Sequence, residues 1–91
     1  MERSIELKRP ETERAAKQIA AMIADMECVA RALGDDVVEI ETRAKIYDKN
    51  DVTYPPLARS LWQRQNNLKR TIAELQRRFP EAQAAAMETA A

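Results

Sequence analysis

The chain has 91 residues, of which 45% are hydrophobic and 4% aromatic, with one glycine, one cysteine, no histidine and a formal net charge of zero. This length predicts one helical domain, residues 1–91, and so short a chain buries only about 60% of the surface that it exposes when unfolded. Without histidine, the commonest general base and metal ligand are missing, and one glycine cannot build a phosphate-binding loop. We therefore expect no enzymatic activity, no cofactor and no metal site.

The sequence also predicts neither a secretion signal nor a membrane-spanning segment. The first ten residues carry five charges, so they do not supply the apolar core of a secretion signal. No apolar run approaches the roughly 20 residues that cross a bilayer. Cys28 has no second cysteine to pair with and no histidine to activate it, so we interpret it as a semi-buried structural thiol. These features predict a cytoplasmic protein without a membrane segment.

The first long helix is predicted from about residue 11, after an extended lead-in over residues 1–9. Pro10 suits a first helical position, and Glu11 and Glu13 favour the positive end of the helix dipole. Apolar residues then recur at alternating spacings of four and three, the rhythm of a coiled coil: Ala15, Ile19, Met22, Met26, Val29 and Leu33.

Gly34 leaves two interpretations of this helix open. A glycine followed by Asp35 can end one helix and cap the next, which would give a three-helix bundle. However, Val37, Ile40, Ala44 and Tyr47 continue the apolar pattern after one extra four-residue step, which a continuous helix can absorb. Residues 38–47 also alternate like a strand, but acid-then-base pairs four residues apart favour helix there. We slightly favour one helix over residues 11–48.

A loop rich in turn-forming residues follows, and Pro56 then suits the start of a second helix over residues 56–79. This helix has the clearest pattern in the chain, with three heptads of strict spacing and a stop at Pro80: Ala58, Leu61, Gln65, Leu68, Ile72, Leu75 and Phe79. Gln65 is the one polar residue in this set, and it can fix the register of the packing or else reach water. The Ala-rich tail, residues 80–91, is predicted as a short helix or a disordered segment.

The unequal lengths of the helices point to self-association. At 1.5 Å per residue the first helix would be about 57 Å long and the second only about 34 Å, so an antiparallel hairpin leaves Ile19, Met22, Ile23 and Met26 uncovered. A dimer or tetramer with a coiled-coil-like core would cover them. The predicted interface and core comprise Ile19, Met22, Ile23, Met26, Val29, Leu33, Leu61, Gln65, Leu68, Ile72, Leu75 and Phe79.

The favoured function is therefore a non-enzymatic protein–protein interaction or adaptor module that homo-oligomerises. Tyr47, Tyr54 and Trp62 lie near the loop and could add a docking surface for another protein, although packing that locks the loop is the favoured role. The alternative is nucleic-acid binding through a basic second helix, with phosphate contacts from Arg59, Arg64, Lys69, Arg70, Arg77 and Arg78. These residues are spread around the helix, and charge complementarity with the acidic first helix, within one chain or between subunits, explains them without a ligand.

Overall fold

The computed structural model describes residues 10–90, with side chains described for residues 12–86. Over this range the chain is all-α and consists of α1 (Pro10–Ala44), α2 (Pro56–Arg78) and α3 (Pro80–Ala90). The two long helices pack against each other, and α3 packs mainly against α1. The predicted lead-in over residues 1–9 lies outside the described residues. None of the helices within residues 10–90 is long and apolar enough to cross a membrane.

α1 runs without interruption through Gly34, so the predicted alternative with a helix break there is wrong. A contact from α2 explains why a glycine lies at this position inside the helix. The Gln65 side chain lies across the α1 backbone, and its Nε2 donates to the Ala30 carbonyl oxygen at 3.0 Å. A Cβ atom at position 34 would come within 2.5 Å of that Nε2 atom. Gly34 is therefore a site of close approach between helices, and it does not end α1.

The predicted end of α1 at residue 48 is four residues too late. Lys45 adopts a left-handed conformation with φ of 60°, and the amides of Lys45 and Ile46 both donate to the Glu41 carbonyl oxygen, at 2.7 and 3.3 Å. A left-handed residue with these hydrogen bonds is a common end of a helix. The Glu41 carbonyl group, in the last turn, accepts from these two amides as the chain leaves the helix. Ile46 then packs against the cluster formed by Val37, Tyr54 and Ala58. Tertiary contacts thus override the helical pattern of the last turn.

Two consecutive prolines separate the loop from α2. Pro55 is extended, with φ of −57° and ψ of 125°, and its carbonyl oxygen accepts from the Arg59 amide at 3.1 Å as the first bond of the helix. Pro56 occupies the first helical position, where a missing amide proton costs nothing. At the other end, Phe79 leaves the helix and Pro80 begins α3. The predicted limits of α2 are correct to within one residue.

The α1 residues in contact with the rest of the chain form a stripe of mostly small side chains. Ala16, Ile23, Ala30 and Val37 are buried at intervals of seven residues, and Ala58 on α2 is fully buried. This stripe lies beside the predicted one. In the predicted stripe Leu33 is buried and Ala15 is exposed. Small side chains let the helices approach closely, which places the larger side chains at the margins of the contact.

α3 covers part of the α1 segment that was predicted to be uncovered within the chain. The Ala-rich tail is helical to Ala90, with Ala82 fully buried and Ala85 nearly so. Ala82 and Ala86 line a shared groove with Ala20 and Ile23 of α1. The start of α1, which extends beyond α2, is thus partly covered by the chain itself, and Ile23 is buried there. Met22, on the adjacent side of the helix, stays 53% exposed.

The contact between Gly34 and Gln65 predicts a non-additive pair of substitutions. Replacing glycine by alanine inside a helix ordinarily stabilises by about 0.8–1.0 kcal/mol. We expect Gly34→Ala to raise the free energy of unfolding by this amount in a Gln65→Ala background, and by close to zero in the wild type, where the new Cβ displaces Gln65 from Ala30. Chemical denaturation of the four proteins measures the coupling.

Ala32, on the exposed side of α1, provides the control for this cycle. Ala32→Gly should lower the free energy of unfolding by the intrinsic difference between the two residues in both backgrounds. An equal effect of Gly34→Ala with and without Gln65 would contradict the role assigned to this crossing.

Candidate functional site: an apolar face and a locked loop

The α1–α2 pair forms a layer with two different sides. The whole chain measures 65 × 22 × 15 Å along its principal axes, so it is elongated. Charged and amide side chains line the groove on one side, where Glu27, Arg31, Lys69 and Gln76 lie along the contact. Val29 and Leu68 line the groove on the other side, together with Arg64, Asn67 and Thr71. Helical periodicity places further large apolar residues on this second side.

We call this second side the apolar face, formed on α1 by Ile19, Met22, Met26 and Val29, and on α2 by Leu57, Leu61, Leu68 and Leu75. Met22 is 53% exposed, Val29 46% and Leu57 61%, and the other five side chains are half-buried. No large side chain within the described residues is fully buried. The buried hydrophobic cluster of the chain is small and lies near the loop, where Val37, Tyr54 and Ala58 form it.

The predicted interface residues are divided by the structure into two groups. Ile23, Leu33 and Ile72 are buried inside the chain, and Gln65 bridges the two helices. The rest lie on or beside the apolar face, where Met22 and Val29 are exposed and Ile19, Met26, Leu61, Leu68, Leu75 and Phe79 are half-buried. The sequence pattern gave these residues as one set because two adjacent heptad stripes run along α1. Leu57 was missed, although it lies one helical turn before Leu61.

At the loop end, a buried carboxylate holds the connection between α1 and α2. Glu41 is buried, and its Oε2 atom accepts from the Tyr54 hydroxyl at 2.7 Å and from Lys49 Nζ at 3.2 Å. The hydrogen bond from Tyr54 holds the pKa of Glu41 below its usual value, with Lys49 adding to the effect against the cost of burial. Burial, together with the neighbouring Glu41 carboxylate, raises the pKa of Tyr54 to about 12.

Cations and aromatic rings complete this cluster. Lys49 Nζ lies 5.5 Å from the centre of the Trp62 ring and 5.9 Å from that of Tyr54, while the Arg59 guanidinium lies 5.3 Å from the Tyr54 ring. Arg59 also donates to the Lys49 carbonyl oxygen at 2.9 Å. Tyr54 is only 3% exposed and Trp62 is half-buried. These contacts lock the loop and leave Tyr47 as the exposed aromatic residue of the predicted docking surface.

The turn residues of the loop bond among themselves. Asp48 Oδ1 accepts from the Asn50 amide at 2.9 Å. Asp51 Oδ1 accepts from both the amide and the hydroxyl of Thr53, at 2.8 and 2.7 Å, and these bonds lower the pKa of Asp51. Such short-range bonds are what aspartate and asparagine supply in turns. Within residues 10–90, acidic and cysteine side chains form no group of three that could hold a metal ion.

The basic residues of α2 are not gathered into one surface. Arg59 belongs to the loop cluster, Arg77 and Arg78 pair with Glu74 on the same helix, and Arg70 donates to Asn67. Arg64 and Lys69 lie in grooves on opposite sides of the layer. Nucleic-acid binding needs several cations along one face, so this arrangement does not favour it.

The predicted charge complementarity between the first and second helices, within the chain or between subunits, is not seen as ion pairs within the chain, and its form between subunits stays a prediction. Among the described residues, no ion pair joins α1 to α2, and Glu41 pairs with Lys49 of the loop. Cys28 is exposed, so its predicted position as a semi-buried thiol is wrong. Helical periodicity places Cys28 about 160° around α1 from the buried Ala30, on the outer side of the helix.

Comparison with protein families, with curated proteins and with solved structures gives no match to this chain. Any inference about function therefore rests on the residues of the chain and on their geometry.

Removing the Tyr54 hydroxyl should destabilise the fold at neutral pH. Tyr54→Phe leaves a buried carboxylate without its closest donor, and a hydrogen bond to a charged group contributes about 1.5–3 kcal/mol. Because the pKa of Glu41 is lower in the folded protein than its ordinary 4.5, the stabilisation is present above pH 4.5 and is lost as the pH falls through the folded value. We expect the difference in unfolding free energy between wild type and Tyr54→Phe to shrink in that acidic range.

Tyr47→Phe removes the same hydroxyl group from an exposed tyrosine and is the matched control. It should change the free energy of unfolding by less than about 0.5 kcal/mol. Denaturation curves at several pH values test both variants. A Tyr54→Phe protein as stable as Tyr47→Phe at neutral pH would refute the role of this hydrogen bond.

Proposed function

We propose that this chain is a non-enzymatic assembly module that binds a second copy of itself through the apolar face. The observation that carries the proposal is the distribution of large side chains. Met22, Val29 and Leu57 are exposed on one side of the layer, next to a row of half-buried leucines, while half of the buried apolar residues within the described part of the chain are alanines. Soluble monomers rarely expose a contiguous apolar surface of this kind.

The size of the face fits a stable interface. α2 is about 34 Å long and the chain measures 22 Å along its second principal axis, so one side of it has a footprint of about 750 Å² over the length of α2. A standard protein interface buries about 800 Å² on each partner. Two layers packed through this face would form a four-helix core, which is a common way for two-helix units to enclose their apolar residues.

Self-association also agrees with the shape of the chain. A compact domain of this length has a radius of gyration of about 12 Å, whereas that of this chain is 18.6 Å. The elongated layer gives each large side chain few neighbours within its own chain. Two layers would double the thickness without adding length and would supply the missing neighbours.

Val29→Glu tests this face, with Val38→Glu as the matched control. Both valines are exposed on α1, at 46% and 59%, and nine residues of helix place them on opposite sides. We expect the wild type to be a dimer, Val29→Glu to be a helical monomer because a carboxylate would be buried in the interface, and Val38→Glu to dimerise like the wild type. Light scattering coupled to size exclusion, over a concentration series, measures the masses.

Two results would contradict the proposal. One is a wild-type chain that stays monomeric at every concentration, and the other is a Val29→Glu chain with the wild-type mass. Circular dichroism of each variant checks that helix content is retained, so that loss of association is separated from loss of folding. Met22→Glu, seven residues before Val29 on the same side of α1, repeats the test at a second position.

A further inference from the structure

We infer that, in the dimer, α1 of each copy packs over α2 of its partner, around a twofold axis parallel to the helices. This inference rests on the proposed function and specifies how the second copy sits. Two layers can meet face to face around either of two axes. An axis parallel to the helices places α1 over the partner's α2, and an axis across the helices places α1 over the partner's α1.

The helix charges distinguish these two arrangements. α1 contains eight acidic and four basic residues, a net charge of −4. α2 contains six basic residues and one acidic residue, a net charge of +5. Among the described residues no ion pair joins the two helices within the chain, so the opposite net charges of α1 and α2 are not paired with each other there. Stacking α1 on α1 places like charges together, whereas stacking α1 on α2 places opposite charges together.

The positions of the apolar residues along the helix axes agree with the same arrangement. Val29 and Leu68 line one groove, so they lie at the same height along the layer. A twofold axis parallel to the helices preserves height, so Val29 of one copy meets Leu68 of the partner. Both side chains are apolar, and each contact occurs twice in the dimer.

One charged pair follows from this register. Asp36 lies seven residues after Val29, on the same side of α1, and Arg64 lies four residues before Leu68, on the same side of α2. Both steps lead toward the loop, by about 10.5 and 6 Å, so the two residues differ in height by about 4.5 Å. Both are exposed, and neither has an ion pair within the described part of the chain. In the inferred dimer Asp36 of each copy is within side-chain reach of Arg64 of the partner.

Charge reversal at these two positions tests the arrangement. In an Asp36→Arg homodimer both pairs become arginine with arginine, and in an Arg64→Glu homodimer both become glutamate with aspartate. Each variant alone should dimerise at least about tenfold more weakly at low salt. In an equimolar mixture, however, both pairs of the heterodimer are of opposite charge. We expect the mixture to recover the wild-type affinity, measured by sedimentation over a concentration series.

Cross-linking gives a second measurement that does not depend on affinity. In a Cys28→Ser background, Val29→Cys and Leu68→Cys chains of different tag length are mixed and oxidised. A disulfide-linked heterodimer, in excess over both homodimers, is expected. Preferential coupling of Val29→Cys chains to one another would show α1 on α1 and overturn the inference.

The outcomes separate this inference from the proposed function. A monomeric wild-type chain would refute both. A wild-type dimer whose two charge variants dimerise normally, or remain weakened when mixed, would overturn the arrangement while the apolar face keeps its role. Recovery on mixing, together with the heterodimeric cross-link, would support both.

Discussion

The close crossing of α1 and α2 at Gly34 is the constraint on which the rest of this structure depends. Gln65 lies over the α1 backbone there and donates to the Ala30 carbonyl oxygen at 3.0 Å. Only a residue without a side chain leaves room for this contact, since a Cβ atom would approach Gln65 Nε2 to 2.5 Å. The crossing fixes the register of the two helices, and the bond from Tyr54 to Glu41 fixes it again at the loop end.

A contact built from small residues has a consequence for the large ones. Ala16, Ala30 and Ala58 occupy the buried positions, so methionine, valine and leucine side chains lie at the margin of the contact. Burial of apolar area is the main favourable term in folding, and the side chains at the margin of this contact bury only part of their apolar area. The same packing that holds α1 close to α2 therefore produces the apolar face. In this account, association of two chains completes the hydrophobic core that one chain begins.

Much of the architecture could be predicted from periodicity and from proline. The strict heptads between Pro56 and Pro80 gave α2 to within one residue, because a proline marks each end of the pattern. α1 was harder, since two adjacent heptad stripes run along it and the sequence does not show which one meets α2. Periodicity favours the stripe with larger side chains, whereas the close crossing selects the one with alanines and Gly34.

The remaining differences come from contacts that are distant in sequence. Gly34 has a low helix propensity, and only Gln65, 31 residues later, shows why it lies inside a helix. α1 ends early because Ile46 packs on Val37 and Tyr54, and the burial of Glu41 depends on a donor from the loop. The apolar character of the predicted interface residues was visible in the sequence, but their division between the buried contact and the apolar face was not.

Small-angle X-ray scattering of the wild-type chain would decide whether two copies pack through the apolar face, because it reports mass and length together. The account predicts a particle of twice 10.4 kDa whose longest dimension stays close to the 65 Å of one layer, since the two layers pack side by side. A particle of 10.4 kDa at all concentrations would contradict the claim, as would a dimer of nearly twice that length, which would show that the copies meet end to end.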